Sequence, residues 1–125
     1  MYNYACTFLF GGIFMKINFF KKGNTLIVNL NGELDHHSCE YLRRKLDCEI
    51  LKVSTKNLIF DMENLNFMDS SGIGVLVGRL KQIQKLNGKT ALVSLNKTVK
   101  KILELSGILK LVDAYENIDE AIKTM

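Results

Sequence analysis

The segment Phe67-Met68-Asp69-Ser70-Ser71-Gly72-Ile73-Gly74 holds the residues of this chain best placed to do chemistry. Asp69, Ser70 and Ser71 each carry an oxygen that can cap a helix by accepting hydrogen bonds from the free amides of its first turn. A serine there can also take a phosphate, because a helix N-terminus carries about half a positive charge and tolerates anions. The phosphate would bring roughly −1.5 to −2 charges, felt by whatever docks on that surface. Plain capping and phosphorylation both fit these residues. Gly72, Gly74 and Gly78 then follow at positions expected to be helical, at roughly 1 kcal/mol each relative to alanine. A cost repeated in this way points to close approach by another backbone, within the fold or on a partner. Gly74 and Gly78 share a helix face.

Other chemistries fit poorly. Ser71 does not lie in G-x-S-x-G, and no histidine follows it in the chain, which argues against a serine hydrolase. Neither of the phosphate-cradling motifs G-x-x-x-x-G-K-[ST] and G-x-G-x-x-G is present. Asp35, His36 and His37 could suggest a metal, but adjacent histidines in a strand or loop point apart and no third ligand is evident. Asp61, expected at a strand end, has the placement of a phosphorylatable aspartate, but the paired acids such a site needs after the first strand are missing. Cys6, Cys39 and Cys48 form no C-x-x-C pair and are odd in number, which favours free thiols in a reducing compartment. The net charge of +4, from 17 basic and 13 acidic residues, is mild and interleaved. With no basic face and no reading motif, nucleic-acid binding is not expected.

The elements that must position the Asp69–Gly74 segment are legible from periodicity. Lys16 to Phe20 and Thr25 to Leu30 read as strands joined by a tight turn at Lys21-Lys22-Gly23-Asn24. Gly32 to Asp35 breaks the strand pattern. A helix is expected from about Ser38, with Cys39, Leu42, Leu46 and Ile50 on one face and Glu40 paired to Arg44. Asn57 to Met62 reads as a buried strand and Glu63 to Asp69 as a loop. A helix follows on the stripe Ile73, Leu76, Val77, Leu80 and Ile83, ending at Asn87-Gly88. Thr90 to Leu95 and Leu109 to Val112 read as strands. Helices are expected around Val99 to Ser106, closed by Gly107, and around Ile118 to Ile122. The order β-β-α-β-α-β-α-β-α implies a mixed, mostly parallel α/β sheet of about five strands with about four helices.

Residues 1–14 stand apart: ten of them are apolar, five are aromatic and none is charged, so every one of the 30 charged side chains belongs to residues 15–125. The segment lacks the basic start and small-x-small site of a signal peptide. It is also too short to span a bilayer. We expect a domain at 15–125 preceded by an over-long start or a dispensable extension, and no stable membrane association.

Three stretches of this chain closely resemble the anti-sigma factor antagonists of spore-forming bacteria, members of the STAS domain family. They are Gly32-Glu33-Leu34-Asp35-His36-His37, Phe67-Met68-Asp69-Ser70-Ser71-Gly72-Ile73-Gly74-Val75-Leu76 and Gly78-Arg79. The resemblance runs from about Met15 to the C-terminus and takes in Lys97-Thr98-Val99-Lys100-Lys101 and Leu105-Ser106-Gly107. It implies the STAS fold and a cytoplasmic, phosphorylation-controlled binding protein of sporulation, not an enzyme, with no cofactor. Its partners would be an anti-sigma factor that is also a serine kinase (SpoIIAB-like) and a PP2C-type phosphatase (SpoIIE-like). Ser71, the second serine of D-S-S-G, would be the phosphoacceptor. Asp35, His36, Asp69, Ser70, Gly72, Gly74 and Gly78 would meet the partner. The alternative is a generic STAS interaction or ligand-sensing module.

Overall fold

A computed structural model describes residues 2–10, 13–52 and 54–125. Its elements run β1 (Tyr2–Phe10), β2 (Ile13–Lys22), β3 (Thr25–Leu34), α1 (His36–Lys52), β4 (Asn57–Met68), α2 (Ser70–Lys85), β5 (Thr90–Val93), α3 (Lys97–Ser106), β6 (Asp113–Tyr115) and α4 (Ile118–Lys123). The six strands form one sheet in sequential order. β1, β2 and β3 pair antiparallel, whereas β3, β4, β5 and β6 pair parallel. Hairpins suffice for the antiparallel half; each parallel step needs a crossover, supplied in turn by α1, α2 and α3.

The period-two alternation of the strands sorts their side chains between two layers. Leu26, Val28 and Leu30 of β3, Leu58, Phe60 and Met62 of β4, and Leu92 of β5 are buried in one cluster. It is completed by Leu42, Leu46 and Ile50 of α1, Val75, Leu76, Leu80 and Ile83 of α2, and Val99 and Leu103 of α3. The intervening residues Ile27, Ile59, Ala91 and Val93 face the other way and meet Ala121, Ile118 and Ile122 of α4. The central strands are therefore apolar on both faces, as parallel strands covered on both sides must be.

Several expectations are corrected. The sheet has six strands rather than about five, because the chain is already paired from Tyr2: β1 lies against β2 from Tyr2↔Lys21 to Phe10↔Ile13. Met1, Gly11 and Gly12 of the apolar segment lie outside the described residues. The stretch Gly32 to Leu34 continues β3 instead of breaking it, with Gly32 at φ +112° where the register against β4 shifts. For the same reason Glu63 to Met68 is strand, not loop: β3 carries it as a partner, and Leu65 and Met68 are buried. Asp61 accordingly sits within β4, not at its end, and accepts from the Asn29 side-chain amide at 3.0 Å and the Glu63 amide at 3.2 Å. Leu109 to Val112 is not a strand. A 3₁₀ turn at Ile108–Lys110 buries Ile108 and Val112 at helical spacing, and the strand forms later at Asp113–Tyr115. β5 stops at Val93 because Ser94 turns to φ +58°.

The candidate docking site at two helix starts

β3 and β4 are parallel neighbours, so both finish at the same end of the sheet, and α1 and α2 both begin there. The backbone amide of Asp69 donates to the carbonyl of Leu34 at 3.2 Å, holding the two strand ends together. Asp69 is the N-cap of α2. Its Oδ1 accepts from the amides of Ser71 at 2.9 Å and Gly72 at 3.3 Å. Its Oδ2 reaches across to the first turn of α1 and accepts from the amide of His36 at 3.0 Å. One carboxylate thus satisfies free amides of two helices.

Asp35 caps α1 in the same manner, accepting from the amides of His37 at 2.9 Å and Ser38 at 3.1 Å. The Ser38 hydroxyl accepts from the Asp35 amide at 3.1 Å and donates to the Glu33 carbonyl at 3.1 Å, a reciprocal lock. This lock starts α1 at His36 and not at Ser38. His36 and His37 therefore lie in a helical turn, not a strand or loop; both are exposed, with ring centroids 5.8 Å apart. His36 engages Asp69 through its backbone, leaving the imidazole outside that contact.

Ser70 is exposed and Ser71 half-buried. Neither hydroxyl has a hydrogen-bond partner among the described residues, the capping being done by Asp69. The three glycines separate into two kinds. A Cβ on Gly72 would lie 3.0 Å from the Leu34 Cγ and 3.2 Å from its carbonyl oxygen, so the close approach is within the fold. A Cβ on Gly74 or Gly78 would meet nothing within 4 Å. No packing inside the fold explains those two, and their face of α2 is left low beside Ser70 and Ser71. Phe67, 42% exposed, projects from the end of β4 next to this helix start.

Beneath both caps lies Cys39, buried in α1. Burial, followed by the negative charges of Asp69 and Asp35, pushes its thiol up to about 12. A thiol so held is not a nucleophile at neutral pH. Further along, Arg79 is buried between α2 and α1, its Nε 3.2 Å from Oδ1 of Asp47, and burial lowers its pKa against the opposing pull of that carboxylate. The periodicity gives no sign of this pair, since an arginine on the apolar face of α2 breaks the pattern. The Ser38 lock had a sequence signal, the D-x-x-S spacing from Asp35. Among the described residues no three His, Cys, Asp or Glu side chains gather as a metal site, and no helix is long and apolar enough to cross a membrane.

Residues 16–121 match the STAS domain. The chain belongs to the STAS family. An anti-sigma F factor antagonist of Paenibacillus polymyxa is 40% identical over 92 residues, which cover 74% of this chain and 79% of the relative. The structure of the anti-sigma factor antagonist SpoIIAA in its unphosphorylated form superposes with a TM-score of 0.75 at 32% identity, covering 86% of this chain and 94% of the other. The phosphorylated form of the Bacillus cell fate determinant SpoIIAA gives 0.67 at 31% identity, covering 86% and 97%. In this STAS domain, Asp35, His36, Asp69, Ser70, Ser71 and Gly72 come together at the shared start of α1 and α2, and Gly74 and Gly78 extend the surface along α2.

Proposed function

We propose that this chain is an anti-sigma factor antagonist that binds an anti-sigma factor with serine kinase activity and so frees a sporulation sigma factor. Phosphorylation of Ser71 switches the binding off. The observation that carries the reading is the half-buried, unengaged Ser71 hydroxyl at the head of a helix face that Gly74 and Gly78 keep open. The binding surface is the two helix starts, with Asp35 and His36 from α1 and Asp69, Ser70, Gly72, Gly74 and Gly78 from α2. Asp69 orients the surface by tying α2 to α1.

In the switching step the Ser71 Oγ attacks the γ-phosphorus of ATP held by the kinase, an O–P bond forms, ADP departs and the hydroxyl proton leaves with a base of the kinase. The product places about two negative charges beside Asp69 and close to Asp35. The α2 dipole tolerates the anion locally, so the fold survives. A partner surface matched to an uncharged serine does not, because a like-charge or unmatched charge at an interface costs several kcal/mol, and about 1.4 kcal/mol is tenfold in affinity. A PP2C-type phosphatase restores the serine by hydrolysis. The protein is a binding regulator rather than an enzyme, working in the cytoplasm through residues 15–125, with 1–14 dispensable for partner binding.

Incubation with the cognate kinase and ATP, followed by mass spectrometry, should place one phosphate on Ser71. Ser71→Ala should bind the anti-sigma factor as the wild type does, and Ser71→Asp at least tenfold more weakly. Equal binding by the two variants would refute the charge-based switch.

A further inference from the structure

The two edges of the sheet differ. One is β6, three residues long and opened by Asp113. The other is β1, nine residues, Tyr2–Phe10, with no charge and no proline. Edge strands are ordinarily blunted by charges, proline, bulges or brevity, and β1 has none of these; its pairing with β2 runs without a register shift over its whole length. It also precedes the residues that match the STAS domain, which begin at 16.

The direction of its backbone groups follows from the next hairpin. Lys22↔Thr25 closes the two-residue Gly23-Asn24 turn and is therefore a hydrogen-bonded pair. Alternation then gives the even-numbered residues of β2 to β3 and the odd-numbered ones to β1. Through the register Cys6↔Ile17, residues Tyr2, Tyr4, Cys6, Phe8 and Phe10 turn their amides and carbonyls to β2. Asn3, Ala5, Thr7 and Leu9 turn theirs outward, at the open edge.

We propose that β1 pairs with β1 of a second copy of this chain, antiparallel about a twofold axis through Cys6, giving a continuous twelve-strand sheet. The occupant is a second copy because the strand is complementary to itself. Cys6 is its midpoint, so a twofold pairing uses every residue. The outward pairs become Ala5 with Thr7 and Asn3 with Leu9, each able to exchange two backbone bonds. By this register Tyr4 falls opposite Phe8, and Tyr2 opposite Phe10. No like charges oppose each other anywhere along it. The Cys6 residues of the two copies form the central non-hydrogen-bonded pair, whose Cα atoms lie about 4.5 Å apart in such ladders. Closure about the axis consumes both β1 edges, so assembly stops at the dimer, and the helix starts at the ends of β3 and β4 remain open on both copies.

The test uses the full chain in sedimentation equilibrium. The wild type should be dimeric in the micromolar range. Ala5 and Thr7 are exposed in the monomer, so charges there leave its core intact, which circular dichroism would check. Ala5→Glu with Thr7→Glu sets carboxylates opposite one another twice across the axis and should give a monomer. Ala5→Lys with Thr7→Glu sets opposite charges there and should restore the dimer. In a Cys48→Ser background, diamide, which takes two electrons and two protons as two thiols join, should link the copies through Cys6, and Cys6→Ser should abolish the link. A monomeric wild type, a dimeric double glutamate variant, open-ended oligomers, or failure of the charge-swapped variant to dimerise would each overturn the proposal.

Discussion

The starts of α1 and α2 share a plan and differ in what they hold in place. At α1 the capping side chains serve only their own helix: Asp35 and Ser38 bond to one another, and Asp35 accepts from the amides of His37 and Ser38. At α2 the cap is shared, because Asp69 spends one oxygen on its own helix and the other on His36 of α1. The neighbouring glycines repeat the contrast on a smaller scale, Gly72 being pressed against Leu34 while Gly74 and Gly78 face open space. Under the proposed function the α2 start is therefore both the joint that fixes the docking surface and part of that surface. Substitutions there should fall into two groups, those that damage the fold and those that damage only binding.

The largest effect should come from forcing bulk into the joint. Gly72→Val would place its Cβ 3.0 Å from Leu34 Cγ and 3.2 Å from a backbone oxygen that cannot turn away. Overpacking of this kind costs about 1–3 kcal/mol, and we expect the upper end in urea denaturation. An unchanged midpoint would mean that the β3 end yields freely. Next come the caps. Asp69→Ala removes acceptors for three amides on two helices and should cost about 2 kcal/mol, against about 1 kcal/mol for Asp35→Ala, the usual value of one cap. Equal losses would show that the bond to His36 adds nothing.

Cys39 tests the same arrangement through pH. Its thiol is raised to about 12 in the folded chain from an ordinary value of 9.0. Between those values the unfolded chain has released a proton that the folded chain still holds. Stability is thus fully present below about 9 and falls as pH rises toward 12, by up to about 1.4 kcal/mol per pH unit. Cys39→Ala should show a shallower alkaline slope than the wild type, whatever its stability at neutral pH. In the native protein at pH 8, iodoacetamide should modify exposed Cys48 and spare Cys39.

The sequence carried the order of the parallel half and the helix start at Asp69-Ser70-Ser71, because both rest on signals of short range. Strand runs such as Asn57 to Met62, the Gly107 stop and the D-S-S-G segment are each contained within a few residues. What it did not carry depends on contacts far apart in the chain. Glu63 to Met68 is strand only because β3 extends alongside it to Leu34, and nothing in its own composition says so. The Arg79–Asp47 pair joins residues on separate helices and runs against the apolar pattern. Likewise, three glycines that look alike in the sequence are divided only when Leu34 is placed beside one of them.

That division yields the smallest stability change and the sharpest separation of fold from function. Gly74→Ala and Gly78→Ala add a methyl group where nothing lies within 4 Å. Each exchanges a poor helix former for the best, and should stabilise the protein by up to about 1 kcal/mol. Under the proposed function the same methyl groups raise a surface that the anti-sigma factor must approach closely, so affinity should fall as stability rises. Thermal melts and titration calorimetry on the two single variants would give the signs. Higher melting with weaker binding would mark these glycines as kept for the partner at the expense of the helix. If binding is unchanged, the contact surface lies around Ser71, Phe67 and His36 and stops short of the α2 face.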